Sequence, residues 1–102
     1  MPLEHFWDIP MMVRKIDSFT YNRKSGVYMV LHDEDDWKCI FVGQADNLGE
    51  TLNNLRNHPS WDCIKKHEPT HIATYVSDHT KLVDQDIVKR LNRIYKPLCV
   101  PR

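Results

Sequence analysis

Side chains that commonly bind metal ions are concentrated in the second half of the chain. His58, Cys63, His67 and His71 fall within fourteen residues. The i, i+4 spacing of Cys63 and His67 places both on one face of a helix, as zinc ligands can be placed. The spacing of all four matches no well-defined zinc module, and surface or capping histidines account for the same pattern. The sequence therefore predicts no resident metal, with a zinc site as the alternative.

Basic side chains form a second group with binding chemistry. The chain has 14 basic and 14 acidic residues, but residues 52–102 hold nine basic and five acidic ones, a net charge of +4. Phosphate binding needs such cations on one face, whereas cations at the end of a helix also suit its dipole without any partner. The candidate nucleic-acid-binding residues are Lys65, Lys66, Lys89, Arg90 and Arg93.

The apolar pattern predicts the elements that must position these side chains. Residues 26–31 and 37–42 are rich in β-branched and aromatic side chains and predict a hairpin, with residues 33–36 as its loop; residues 71–76 predict a third strand. A helix is expected from the cap Asn47 to His58, a shorter one after residue 61, and a long one that ends before Pro97.

The predicted fold is α+β, with a small three-stranded sheet built on an antiparallel hairpin and flanked by helices in the order ββαβα. A short helix interrupted by Pro10 is expected within an N-terminal extension, residues 1–24, before a core at residues 25–100. A chain of 102 residues allows one domain with one modest core, because a chain of this size buries roughly two-thirds of its unfolded surface.

The composition excludes several classes of protein. With 41% hydrophobic residues, 27% charged residues and three glycines, the chain is unlike disordered, collagenous or disulfide-scaffold sequences. Its apolar stretches are too short to cross a membrane, and its first residues lack the basic start of a signal peptide. Cys39, Cys63 and Cys99 are an odd, widely spaced set, so we expect reduced thiols, a cytoplasmic location and no membrane partner.

Two triplets and their surroundings resemble a known family. Gly26-Val27-Tyr28 is followed, after twelve residues, by Phe41-Val42-Gly43 and then by Gln44-Ala45-Asp46-Asn47-Leu48. This pattern is similar to the signature of the GIY-YIG nuclease superfamily. Leu52 with His58, and a last helix that runs into a proline, are similar to later parts of the family pattern. The resemblance covers residues 25–100 and implies the same ββαβα order.

Family members hydrolyse phosphodiester bonds with one divalent metal ion. The resemblance implies a first tyrosine near the attacking water, a second tyrosine near the phosphate, an arginine on the first helix that stabilises phosphate charge, and a glutamate on the last helix that holds the metal. These roles suit a reaction that accumulates negative charge, since a forked cation and a carboxylate-bound Mg²⁺ stabilise that charge.

The resemblance assigns these four positions to Tyr28, Phe41, Thr51 and Val88. Tyr28 is retained, whereas Phe41 lacks the hydroxyl, Thr51 is neutral and short, and Val88 has no ligand atom. An alternative metal-holding residue is Asp84, one helical turn before Val88 on the same face; at about 5–6 Å it is too far for a first-shell bond of about 2.1 Å and would hold a metal through water.

We therefore expect a catalytically impaired domain that is retained for nucleic-acid binding, whether of DNA or RNA, and that needs no cofactor. The alternatives are an active endonuclease, which would need Mg²⁺, and a protein-interaction module, as a homodimer or beside another protein. Loss of one electrostatic stabiliser costs about 10²–10³ in rate, so losing the arginine and the metal ligand together predicts little activity.

Overall fold

The computed structural model of this 102-residue chain describes most of the sequence. Residues 35–36 of the predicted hairpin loop lie outside the described part. The structure describes residues 3–6, 9–16, 23–34, 37–76 and 81–99.

A five-stranded antiparallel sheet forms the centre of the fold. Its strands are β1 (Leu3–Phe6), β2 (Ile9–Lys15), β3 (Gly26–Asp33), β4 (Trp37–Ala45) and β5 (His71–Val76). The order across the sheet is β1-β2-β5-β3-β4, so β3 lies between β4 and β5. The α+β class and the β3–β4 hairpin are confirmed, but the sheet has five strands rather than three.

The N-terminal segment contributes the two additional strands, so the prediction of a short helix there is wrong. Met11 and Val13 are buried, and the residues on either side of each are more exposed, an alternation that belongs to a strand. In β2, Met12 pairs with Thr74 and Lys15 with His71 of β5. The apolar residues of this segment fit both the helical period and the two-residue period of a strand. Hydrogen bonding to β5 stabilises the strand.

Helices complete the fold. They are α1 (Leu48–Asn53), a 3-10 turn (Leu55–Asn57), α2 (Trp61–Lys66) and α3 (Lys81–Tyr95). The cap is confirmed, because the Asn47 side chain accepts a hydrogen bond from the Glu50 N–H at 3.0 Å. The first helix is shorter than predicted and ends at Asn53, although Leu55 remains buried in the turn. In the described chain, no helix combines the length and the apolar character needed to cross a membrane.

The sheet is packed on both faces. Tyr28 and Val30 of β3 belong to a cluster with Leu48, Leu52 and Ile64 from α1 and α2. The alternate residues of β3 belong to a second cluster with α3, formed by Met11, Val13, Val27, Met29, Leu31, Cys39, Val42, Ala73, Ile87 and Leu91. Because β3 is covered on both sides, it is the most completely buried of the four strands whose side chains are described, and it is a rigid base for any site at its ends.

The pairing of β3 with β4 places Phe41 beside Tyr28. Along β3 and β4, Val30 pairs with Phe41 and Leu31 pairs with Cys39, so Ile40 is the extra residue. Ile40 and Phe41 both join the cluster that contains Tyr28. The regular register as far as the Val30–Phe41 pair places the Phe41 ring on the same face as Tyr28, and the bulge adds Ile40 to that face.

Cys63 and Cys99 form a disulfide, so the expectation of three reduced thiols is wrong for this pair. Their Cα atoms are 5.9 Å apart although 36 residues separate them along the chain. The backbone N–H of Cys99 donates to the Ile40 carbonyl at 2.8 Å, which holds the segment after α3 beside β4. Such proximity arises from the topology and cannot be read from cysteine spacing. Cys39 is a free, buried thiol.

Candidate functional site

A pocket of about 430 Å³ lies where β4, α3 and the turn before α2 meet. Its size falls within the range of small-molecule sites, roughly 300–1,000 Å³. Its lining comprises Tyr28, Phe41, Gly43, Gln44, His58, Pro59, Ser60, Gln85, Val88 and Lys89. Three of the four positions that the GIY-YIG resemblance assigns to catalysis, Tyr28, Phe41 and Val88, therefore line one cavity.

Gly43 makes room for the tyrosine of the pocket. Tyr28 and Gly43 are directly opposite each other on β3 and β4. A Cβ atom at Gly43 would lie 2.6 Å from the Tyr28 hydroxyl oxygen and 2.9 Å from a ring carbon of Phe41. The glycine of the second triplet thus leaves the space that the tyrosine of the first triplet occupies.

His58 is the polar partner of Tyr28. The backbone N–H of Ser60 donates to Nδ1 of His58 at 3.0 Å, so the proton of the neutral ring is on Nε2. The Nε2–H then donates to the Tyr28 hydroxyl oxygen, at 3.2 Å. This arrangement leaves the hydroxyl proton of Tyr28 for an acceptor in the pocket. Phe41 packs its ring edge-on against His58, with centroids 5.0 Å apart.

Burial keeps both groups neutral. It raises the pKa of Tyr28 well above its ordinary value of 10.0 and lowers the pKa of His58 below its ordinary value of 6.5. A general base needs a pKa near the working pH. Tyr28 is therefore suited to donate a hydrogen bond and poorly suited to remove a proton from water.

The burial of His58 predicts a pH-dependent stability. Because the unfolded chain binds a proton at His58 more readily than the native protein, the free energy of unfolding should decrease as the pH falls from about 6.5 through the lowered pKa of His58. Above about pH 6.5 His58 should contribute no slope. Urea denaturation of the wild type and of His58→Gln, between about pH 5 and pH 8, measures this contribution as a difference. Parallel stability curves for the two proteins would contradict it.

Of the other positions considered for catalysis, Val88 lines the pocket, whereas Thr51 and Asp84 do not appear in its described lining. Val88 lies on α3 and lines the pocket, as the resemblance implies. Thr51 lies on α1 and is absent from the described lining. Asp84 is fully buried and also absent from that lining, so it does not offer a carboxylate to the pocket in place of Val88.

The five predicted nucleic-acid-binding cations do not form one group at the pocket. Lys89 is part of the lining, whereas Lys65, Lys66, Arg90 and Arg93 do not appear among its described residues. Arg90 forms an ion pair with Asp86 at 3.1 Å, one turn earlier on α3. Lys89 is thus the predicted cation best placed to act with Tyr28.

The described lining does not suit Mg²⁺. Its oxygen donors are the neutral side chains of Tyr28, Gln44, Ser60 and Gln85, together with backbone carbonyls, and it includes no carboxylate. Mg²⁺ is normally held by one or two carboxylates with several waters. No catalytic step through a metal ion is therefore derived for this pocket.

Sequence reasoning missed the role of His58 and the two glutamines, Gln44 and Gln85. The resemblance places His58 at the end of the first helix, but nothing in the spacing connects it with Tyr28, 30 residues earlier. The position of Gln85 three residues before Val88 on α3 was an available signal, since residues three apart share a helix face.

The structure also separates the four residues of the zinc alternative. His58 is bonded to Tyr28, and Nδ1 of His71 is hydrogen-bonded to the Thr70 hydroxyl at 2.9 Å. Within the described residues, Cys63 and His67 instead lie close to Cys99.

The described lining of the Tyr28–His58 pocket thus has no carboxylate and carries one positive charge, that of Lys89. Comparison of the chain with protein-family models, curated proteins and solved structures found no match.

Proposed function

We propose that this chain is a GIY-YIG-like domain that binds a nucleic-acid phosphate in the Tyr28–His58 pocket without cleaving it. One observation carries the proposal. Tyr28, Phe41 and Val88, the positions that correspond to two tyrosines and a metal-binding glutamate, converge on one open cavity whose described lining has no carboxylate. The cavity therefore offers binding groups and lacks the ligands for metal-dependent cleavage.

The hydrogen-bonding groups of the pocket suit a phosphodiester. The Tyr28 hydroxyl proton is available because His58 donates to its oxygen. Lys89 adds a positive charge at the cavity, and the side-chain amides of Gln44 and Gln85 add further donors. Phosphate oxygens accept hydrogen bonds from such neutral and cationic donors.

The open cavity favours a ligand over the two alternatives. In a scaffold reused only for protein contact, apolar side chains such as Phe41 and Val88 would be expected to fill the old site, but about 430 Å³ remains open between them. For the active endonuclease, the position that the resemblance assigns to the arginine is Thr51, which is neutral and lies outside the described lining, so one further requirement of the chemistry is missing.

Fluorescence anisotropy with labelled duplex DNA and single-stranded RNA tests the proposal. We expect binding that weakens steeply between about 50 mM and 200 mM salt. Tyr28→Phe should weaken it by a factor of roughly 10 to 150, since a hydrogen bond to a charged group contributes about 1.5–3 kcal/mol. Lys89→Gln should weaken it and reduce the salt slope by about one phosphate contact.

Lys38→Gln is the matched control, because Lys38 is an exposed lysine of β4 outside the described lining of the pocket. It should leave the affinity nearly unchanged. The absence of salt-sensitive binding at about 10–100 µM protein would contradict nucleic-acid binding. Nicking of supercoiled DNA with Mg²⁺ or Mn²⁺ that a chelator and Tyr28→Phe both abolish would contradict the loss of cleavage.

The cytoplasm is the compartment that we propose for this domain. The composition and the N-terminal sequence support it, and the disulfide is the observation against it, because cytosolic thiols are usually kept reduced. In that compartment Cys63 and Cys99 would spend part of their time as thiols.

A further inference from the structure

We propose that Cys63, His67 and Cys99, when the disulfide is reduced, form a binding site for one zinc ion. One ligand atom from each residue lies within 4.8 Å of the others. Two thiolate sulfurs and an imidazole nitrogen around tetrahedral zinc are separated by about 3.5–3.8 Å, from bond lengths of about 2.3 Å and 2.0 Å. After reduction, side-chain rotations must let the two sulfurs move apart and bring the imidazole nitrogen closer to the sulfurs by up to about 1 Å.

The backbone holds the three residues in place independently of the disulfide. Cys63 and His67 are four residues apart on α2 and its C-cap, the spacing of two zinc-binding histidines on a helix. The α2 helix is fixed by Ile64, which is fully buried. Cys99 is buried and held by its backbone hydrogen bond to Ile40 of β4. Reduction therefore leaves the three side chains close together.

His67 is the histidine available for a metal. Among the described histidine side chains, His58 contacts Tyr28, His32 is hydrogen-bonded to the Glu68 carbonyl at 2.7 Å, and His71 is hydrogen-bonded to Thr70. The described part of the chain shows no hydrogen bond or ion pair to the His67 imidazole. Because a ring nitrogen of His67 already lies within 4.8 Å of both sulfurs, a ligand role for it requires little reorganisation.

The charge of the site matches zinc. Two thiolates and one neutral imidazole cancel the charge of Zn²⁺, so the complex buries no net charge. A trialkylphosphine and one water convert the disulfide into two thiols and a phosphine oxide, and Zn²⁺ then displaces the two thiol protons into solvent. The fourth coordination position is left to water.

Cobalt spectroscopy on the full chain tests the site. After reduction with a trialkylphosphine, Co²⁺ should bind with one equivalent per chain and show thiolate-to-metal charge-transfer bands together with intense visible bands of tetrahedral Co²⁺, and Zn²⁺ should abolish both. The oxidised chain should show neither. If the reduced chain unfolds, Zn²⁺ is expected to refold it, as far-ultraviolet circular dichroism records.

His67→Asn is the decisive variant because it leaves both cysteines intact. We expect it to lower the affinity for Co²⁺ at least about 100-fold, more than loss of an outer-shell partner does. Cys39→Ala is the matched control, because Cys39 is the third cysteine and is a buried thiol outside the proposed site. This variant should bind Co²⁺ with the affinity of the wild type. Absence of the charge-transfer bands in the reduced wild type, or unchanged Co²⁺ affinity in His67→Asn, would overturn the proposal.

Discussion

Gly26→Ala is expected to destabilise the native protein by about 3 kcal/mol or more. Gly26 is buried at the start of β3, and a Cβ atom there would collide with the backbone carbonyl oxygen of Tyr75 on β5 and lie 2.8 Å from Leu48. The β5 backbone cannot retreat without breaking its pairing with β3. Thermal denaturation should show a melting temperature lower by roughly 12 °C or more.

Thr74→Ala provides a matched control for Gly26→Ala. Thr74 lies on β5 opposite Tyr28 and is only partly buried, so its replacement should cost about 1 kcal/mol or less. If Gly26→Ala unfolds at the same midpoint as the wild type, the close approach of β3 and β5 is not a constraint on residue type.

Reduction of Cys63–Cys99 has the second large expected effect, a loss of about 3–4 kcal/mol of stability. The disulfide closes a loop with a sequence separation of 36 residues, and opening it restores conformational entropy to the unfolded chain. Urea denaturation with and without a trialkylphosphine, in the presence of a chelator, measures the change as a shift in midpoint.

The Cys63→Ser variant separates the effect of the disulfide from other effects of the reductant. This variant should be as unstable as the reduced wild type, and the phosphine should not change it further. Equal midpoints for the oxidised and reduced wild type would show that the bond contributes nothing. With zinc in place of the chelator, the reduced wild type should recover stability, because a ligand that binds the native state selectively stabilises it.

Local sequence patterns predicted the elements whose signals are local. The β3–β4 hairpin, β5 and α3 lie where β-branched runs and helical periodicity placed them. The segment before residue 16 was predicted incorrectly because its apolar residues fit two periods, and its pairing partner β5 lies about 60 residues later. Non-local pairing of this kind is decided by which sheet edge needs covering.

The part of the site that depends on local contacts was predictable from the sequence, and the part that depends on distant contacts was not. The two triplets are adjacent in space because they face each other across one hairpin, a short-range relation. The Tyr28–His58 hydrogen bond joins β3 to the turn before α2, and no periodicity encodes it. Four of the five predicted cations lie outside the described lining. They could not be distinguished from Lys89 by sequence, because net charge does not reveal which side chains face a cavity.

The sequence alone determined the α+β class, the hairpin with its two triplets, and the loss of the hydroxyl at Phe41 and of the ligand atom at Val88. These properties depend on residue chemistry and on contacts between near neighbours. Only the tertiary structure decided that Tyr28, His58 and Lys89 share one pocket, and that Cys63, His67 and Cys99 meet. Both groupings join segments that are distant in sequence, and packing on the two faces of the sheet brings those segments together.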